Sequence, residues 1–184
     1  PALNAILISG VTSIGGDLTI VGTAATVIDL SSLTTVDGTI SVDGNTAATM
    51  VDMTSLTTVG GTVSVDGNTA ATIIDITALT TVGGDLIVVD NGAAMIDISA
   101  GTDVAGDLTV ETTGTGSFSM GDGTVAGDLT LDATGYTDMS GTTPGGSLDL
   151  TATRVEAVMH LQVQAASFTT PVSFTVSRVD PIAL

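Results

Sequence analysis

The sequence predicts an all-β fold: a β-solenoid-like, two-sheet slab of about seven coils of 19–23 residues, followed by a C-terminal β-hairpin. Three observations point to it. A short motif returns at a nearly fixed interval, apolar and polar residues alternate inside each repeat, and glycine pairs separate the alternating stretches. An antiparallel β-sandwich or meander is the competing arrangement, since turns such as Val42-Asp43-Gly44-Asn45 could close hairpins. A meander does not require a constant interval, however, and a stack of coils does.

The chain opens on Ala5-Ile6-Leu7-Ile8, a lone apolar strand with no full coil around it. The repeat begins with Gly16-Asp17-Leu18-Thr19-Ile20 and recurs as Gly38-Thr39-Ile40-Ser41-Val42, Gly61-Thr62-Val63-Ser64-Val65 and Gly84-Asp85-Leu86-Ile87-Val88. Further copies start at Gly106, Gly127 and Gly146. Their first apolar residues lie at 18, 40, 63, 86, 108, 129 and 148, in steps of 22, 23, 23, 22, 21 and 19 residues. A second alternating segment sits between the copies as Val27-Ile28-Asp29-Leu30, Met50-Val51-Asp52-Met53, Ile73-Ile74-Asp75-Ile76 and Met95-Ile96-Asp97-Ile98. In three repeats it leads into Leu33-Thr34-Thr35-Val36, Leu56-Thr57-Thr58-Val59 and Leu79-Thr80-Thr81-Val82.

Period-2 alternation makes both segments half-buried strands, hence two strands per coil, with the Gly-Gly and Asp-Gly pairs supplying positive-φ corners. Stacking at about 4.8 Å places like residues in rows. Leu18, Ile40, Val63, Leu86, Leu108, Leu129 and Leu148 form one inward row, and Ile28, Val51, Ile74 and Ile96 another. The repeat domain covers residues 1–153, and the pattern breaks in 154–184. There Val155, Ala157, Met159, Leu161 and Val163 alternate with mostly polar residues, and Phe168, Val172, Phe174 and Val176 follow around Pro171. This reads as a hairpin that packs on or extends the sheets, although propensity alone would also permit a helix from Val155 to Ala166.

Composition narrows the function classes. Twenty acidic residues against two arginines give a net charge of −18, which disfavours nucleic acid and anionic membrane surfaces as partners. The abundance of Val, Ile and Thr argues for order despite the acidity. No apolar run is long enough to insert in a membrane. Cysteine and lysine are both absent, which excludes disulfide and lysine-based crosslinks. A start at Pro1 rather than Met suggests secretion with a leader removed, placing the chain outside the cell or on its surface.

Asp29, Asp52, Asp75 and Asp97 share one repeat position and would form a carboxylate row. Two charges 4.8 Å apart repel by about 0.9 kcal/mol in water and about 3.5 kcal/mol at an effective dielectric near 20. The row therefore calls for cations, with Ca²⁺ as the candidate, or for hydrogen bonds from nearby hydroxyls and amides. Val27, Met50, Ile73 and Met95 fall beside it on the outer face, as an apolar stripe suited to another copy of the chain. Thr34, Thr35, Thr57, Thr58, Thr80 and Thr81 are read as strand and corner residues. Nothing marks an enzyme or a resident cofactor: the single histidine, His160, has no cysteine to activate, and no Ser or Asp is singled out beside it.

Ser32-Leu33-Thr34-Thr35-Val36-Asp37-Gly38-Thr39-Ile40-Ser41-Val42 and its copies at 55–65 and 78–88 resemble the leucine-rich-like coils of receptor L-type domains. In overall character the chain also resembles the major sheath proteins of filamentous methanogenic archaea, being free of lysine and cysteine and rich in Gly, Thr, Asp and small aliphatics. That resemblance implies subunits joined edge to edge into hoops of continuous β-sheet around a cell. Physical reasoning agrees, because a stack of coils ends in strands open to pairing. The expected assembly interface is Ala5, Ile6, Leu7 and Ile8 at one end, the stripe Val27, Met50, Ile73 and Met95 along the side, and Val172, Phe174 and Val176 at the other end. The alternative expectation is a monomeric surface adhesin or carbohydrate-binding solenoid, for which the aromatic platforms are few.

Overall fold

A computed structural model of the chain describes residues 4–92, 95–98, 101–112, 117–119, 123–132, 137–138, 143–144, 148–152 and 172–176. Among them every regular element is a β-strand, and every strand pair is parallel and joins one coil to the next. This is the β-solenoid, with about five turns described almost continuously. No helix of the described residues is long and apolar enough to cross a membrane.

Each coil carries three strands rather than two. The first sheet contains Ala5–Leu7, Val27–Asp29, Met50–Asp52, Ile73–Ile76, Met95–Ile98, Ser117–Ser119 and Thr137–Asp138. The second runs through Ser13–Ile14, Thr35–Val36, Thr58–Val59, Thr81–Val82, Asp103–Val104, Thr124–Val125 and Thr143–Pro144. The third begins Leu18–Val21, Ile40–Asp43, Val63–Asp66 and Leu86–Asn91, and continues through Leu108–Thr112, Leu129–Asp132, Leu148–Ala152 and Val172–Val176. A two-residue strand is too short to show alternation, so the Leu-Thr-Thr-Val stretch conceals a third side of the coil.

The core fills the space between the three sheets, in rows that run along the stack. Ile28, Val51, Ile74 and Ile96 line the first sheet, and Val36, Val59, Val82, Val104 and Val125 the second. Ile40, Val63, Leu86, Leu108 and Leu129 line the third, with Val42, Val65, Val88 and Val110 beside them. Each such aliphatic contributes about 1.5–3 kcal/mol on full burial. Because a residue in one coil packs on its equivalents above and below, the interval in sequence is fixed by the packing.

The three corners are built differently. Between the first and second sheets, Leu33 N–H donates to Leu30 C=O at 2.9 Å, and Leu56 and Leu79 repeat this turn with Met53 and Ile76. Thr34, Thr57 and Thr80 then donate their hydroxyls to carbonyls of the preceding coil, those of Thr12, Thr34 and Thr57, so this threonine row stitches coils together.

Between the second and third sheets, the glycine pairs do not supply the positive φ expected of them. The reason for glycine there is space: a Cβ on Gly60 would collide with the carbonyl of Asp37, and one on Gly83 with that of Gly60. Positive φ occurs at the third corner, at Gly22, Gly44, Gly67 and the one non-glycine among the described residues, Asp90, so that the Asp43-Gly44 and Asp66-Gly67 pairs do supply it, and at the first corner at Gly10 and Gly101. Each of the third-corner residues precedes the polar row Thr23, Asn45, Asn68, Asn91, in which the asparagines are buried.

Those asparagines form a ladder. Asn45 N–H donates to Asn68 Oδ1 at 3.1 Å and Asn68 N–H to Asn91 Oδ1 at 3.0 Å, while Asn68 Nδ2 also reaches Val42 C=O at 2.7 Å. Thr23 closes the row at one end, donating through both its N–H and its hydroxyl to Asn45 Oδ1. The ladder satisfies polar groups that a sharp corner would otherwise leave bare inside the protein.

Of the expected hairpin, residues 154–171 and 177–184 lie outside the described residues. Val172–Val176 forms the last strand of the third sheet, parallel to Leu148–Ala152, with Phe174 opposite Leu150.

Candidate assembly interface

Among the described residues, the first coil pairs with another coil on one side only. Asn4 C=O accepts from Thr26 N–H and Ile8 N–H donates to Asp29 C=O at 3.0 Å, so residues 4, 6 and 8 direct their backbone groups toward the second coil. Those of Ala5 and Leu7 point away from it by the alternation of a parallel ladder. The same reasoning applies to Leu18 N–H on Thr39 C=O and Gly22 N–H on Asp43 C=O, which leaves Thr19 and Val21 facing outward from the stack, and to Ser13 in the second sheet. No other described strand pairs with Ala5–Leu7, Ser13–Ile14 or Leu18–Val21 on this side.

Side chains at this end divide by face. Ile6 and Ile8 are partly buried and pack on the core. Leu7, Val11 and Val21 are 64%, 41% and 55% exposed, and three of the four large exposed hydrophobics among the described residues therefore belong to the first coil. Its one carboxylate, Asp17, accepts Thr39 N–H at 2.8 Å. At the far end, Val172, Phe174 and Val176 lie in the last strand of the third sheet.

The side stripe forms as the repeat predicts. In the first sheet Ala5, Val27, Met50, Ile73 and Met95 occupy one row, and Leu7, Asp29, Asp52, Asp75 and Asp97 the next outward row. Met95 is 41% exposed, and Val27, Met50 and Ile73 are half-buried.

The aspartate row is bonded within each coil. Asp29 Oδ1 accepts from Ser31 N–H at 3.0 Å and from its hydroxyl at 2.5 Å. Asp52 does the same with Thr54, at 3.0 and 2.8 Å, and Asp75 with Thr77, at 3.2 and 2.7 Å. Each carboxylate thus brackets the turn that follows it. The Ser31 hydroxyl and amide hold the Asp29 carboxyl below its ordinary range, whereas burial and the neighbouring Asp75 push Asp97 up. No group of three or more His, Cys, Asp or Glu placed to hold a metal ion occurs among the described residues. Asp29, Asp52 and Asp75 each commit one oxygen to their own turn.

Compared with protein families, curated proteins and solved structures, the chain matches none. Its functional reading rests on its own geometry.

Sequence reasoning overlooked a second acidic row. Asp43 and Asp66 face each other at the end of the third sheet, and Glu111 and Asp132 do so farther along. The interval that locates Asp29 and its equivalents also locates Asp43 and Asp66, so the signal was present in the two Asp-Gly-Asn copies.

Proposed function

We propose that this chain is the structural subunit of an extracellular β-sheet polymer, a cell sheath, surface layer or filament, assembled by strand pairing between the ends of neighbouring solenoids. The observation that carries the reading is the first coil. Its outward backbone groups at Ala5, Leu7, Ser13, Thr19 and Val21 have no described partner strand, and the exposed Leu7 and Val21 side chains flank them. An edge left in this state is a template for another chain, and natural β proteins normally blunt such edges with charge, proline or a cover. Here only Asp17 carries charge between residues 4 and 22 of a chain whose net charge is −18. The reading needs no catalytic residue and no cofactor, and the archaeal sheath proteins that the composition resembles supply a precedent in kind.

Electron microscopy and sedimentation of the full chain at increasing concentration test this. Filaments or sheets are expected, and Leu7→Lys with Val21→Lys should disperse them while leaving the circular dichroism spectrum unchanged. Monomers alone at high concentration would defeat the reading. If those monomers also bound a glycan array, a surface adhesin would replace it.

A further inference from the structure

The acidic row at the end of the third sheet differs from the aspartate row of the first. Its members come from five successive strands: Asp43, Asp66, Asp90, Glu111 and Asp132. Asp43 faces Asp66, Asp66 faces Val89, and Glu111 faces Asp132. Between Val88 and Asn91 the register shifts, so that Val89 and Asp90 together oppose the single residue Glu111. Such a bulge re-aims a side chain, and here it carries Asp90 into the row, on a backbone with φ of 51°.

Among the described residues, the hydrogen bonds to these carboxylates are concentrated at one end of the row. Asp43 is bonded by the hydroxyls of Ser41 and Ser64 and by Asp66 N–H at 3.1 Å. In the next coil the position of Ser41 and Ser64 is Ile87, and in the two after it Thr109 and Thr130. At the other end Asp132 Oδ1 is buried with no hydrogen-bond partner. The groups facing the row are themselves acidic or neutral. Asp43 and Asp90 lie beside Asp66, and Asp66, Asp90 and Asp132 lie beside Glu111. The strand Leu148–Ala152 sets Thr151 opposite Asp132 and Asp149 opposite Thr130. No described residue is basic, since Arg154, His160 and Arg178 all fall outside the described segments.

We propose that this row is an acid-operated seam: protons held at Asp66, Glu111 and Asp132 fasten the third sheet, and their loss sets like charges against one another on adjacent strands. A protonated carboxyl gains a donor, which can satisfy a neighbouring ionised carboxylate or its own buried environment. Burial is the leading cause that raises Asp66, Glu111 and Asp132 above their ordinary range, and the neighbouring acids add to it for Asp66 and Glu111. The folded chain therefore holds protons that the unfolded chain has released, and its stability falls as pH rises through the window above the ordinary carboxylate range. The seam does not depend on the polymer reading, because it acts within one chain.

Urea unfolding of the full chain between pH 5 and pH 8 tests the seam. The folded-to-unfolded ratio should rise on acidification by up to about tenfold per pH unit for each additional proton held. Glu111→Gln combined with Asp132→Asn should be more stable than the parent at pH 8 and lose most of that acid gain. Asp103→Asn, on the second sheet, should keep it. Carboxyl-carbon NMR gives a readout independent of unfolding: Glu111 should titrate above a free glutamate, and lower in Asp132→Asn than in the parent. An unchanged pH slope in the double variant, or Glu111 titrating like a free glutamate, overturns the proposal.

Discussion

Asn68 donates through Nδ2 to Val42 C=O at 2.7 Å and to Asn91 Oδ1 at 3.0 Å, so one buried amide ties together three successive coils. Replacing it with leucine leaves Val42 C=O and Asn45 N–H without this partner inside the protein, while Asn91 Oδ1 keeps the backbone N–H of residue 68. Each orphaned group costs about 1–3 kcal/mol. Asn68→Leu should therefore lower stability by about 2 kcal/mol or more, measured by urea unfolding. A loss below about 1 kcal/mol would mean that water replaces the amide.

Gly83 and Gly16 occupy equivalent corners yet should respond oppositely to alanine. A Cβ at Gly83 meets the Gly60 backbone, which cannot swing aside, whereas one at Gly16 meets nothing within 4 Å. Gly83→Ala should cost about 1–3 kcal/mol or more through overpacking. Gly16→Ala should be neutral or slightly stabilising, because it restricts only the unfolded chain. Thermal melts of the two variants side by side decide the point.

Asp90 holds a left-handed backbone that its counterparts Gly22, Gly44 and Gly67 adopt freely. Asp90→Gly relieves this and removes a charge from the acidic seam, with an expected gain of about 1 kcal/mol at neutral pH. Asp90→Asn separates the two effects, since it removes the charge and keeps a side chain that tolerates the same conformation. Equal stability of the parent and both variants would show that neither effect matters.

The aspartate row of the first sheet should titrate in opposite senses at its two ends. Asp29, held low by Ser31, contributes stability above its ordinary range and loses it as pH falls through the lowered value. Asp97, raised by burial and Asp75, contributes stability in acid that is lost as pH rises through its elevated value. Ser31→Ala should cost about 1 kcal/mol at pH 7 and almost nothing once Asp29 is protonated. A penalty that stayed constant down to pH 2 would disprove the coupling.

Chelation supplies a fifth test. Since Asp29, Asp52 and Asp75 each commit one oxygen to their own turn, EDTA should leave the melting temperature unchanged. Ca²⁺ and Mg²⁺ should then act alike, by screening. A rise specific to Ca²⁺ would support the cation reading of the row.

Much of this architecture was legible because the residues that repeat are those that stack. The interval between Leu18, Ile40 and Val63 is the interval of the coil, and the alternation Val27-Ile28-Asp29 gives the buried and outward faces directly. The second sheet was hidden because Thr35–Val36 offers no periodicity to count. The glycine pairs misled for a related reason: a sequence displays glycine without displaying whether φ or proximity demands it. Asn45 and Asn68 were visible as repeated letters beside Asp-Gly, where a hairpin turn is the nearest local explanation. Their role as a ladder arises only when coils lie one above another.

The link from Asp66 N–H to Asp43 Oδ1 spans 23 residues, one complete circuit of the chain. Removing a segment of that length would rejoin the chain with inward residues still inward, and the steps of 21, 22 and 23 residues between equivalent strands show that a single residue more or fewer is absorbed at a corner. Reach, in such a molecule, is a quantity that gene duplication can adjust in whole units, with no redesign of the cross-section.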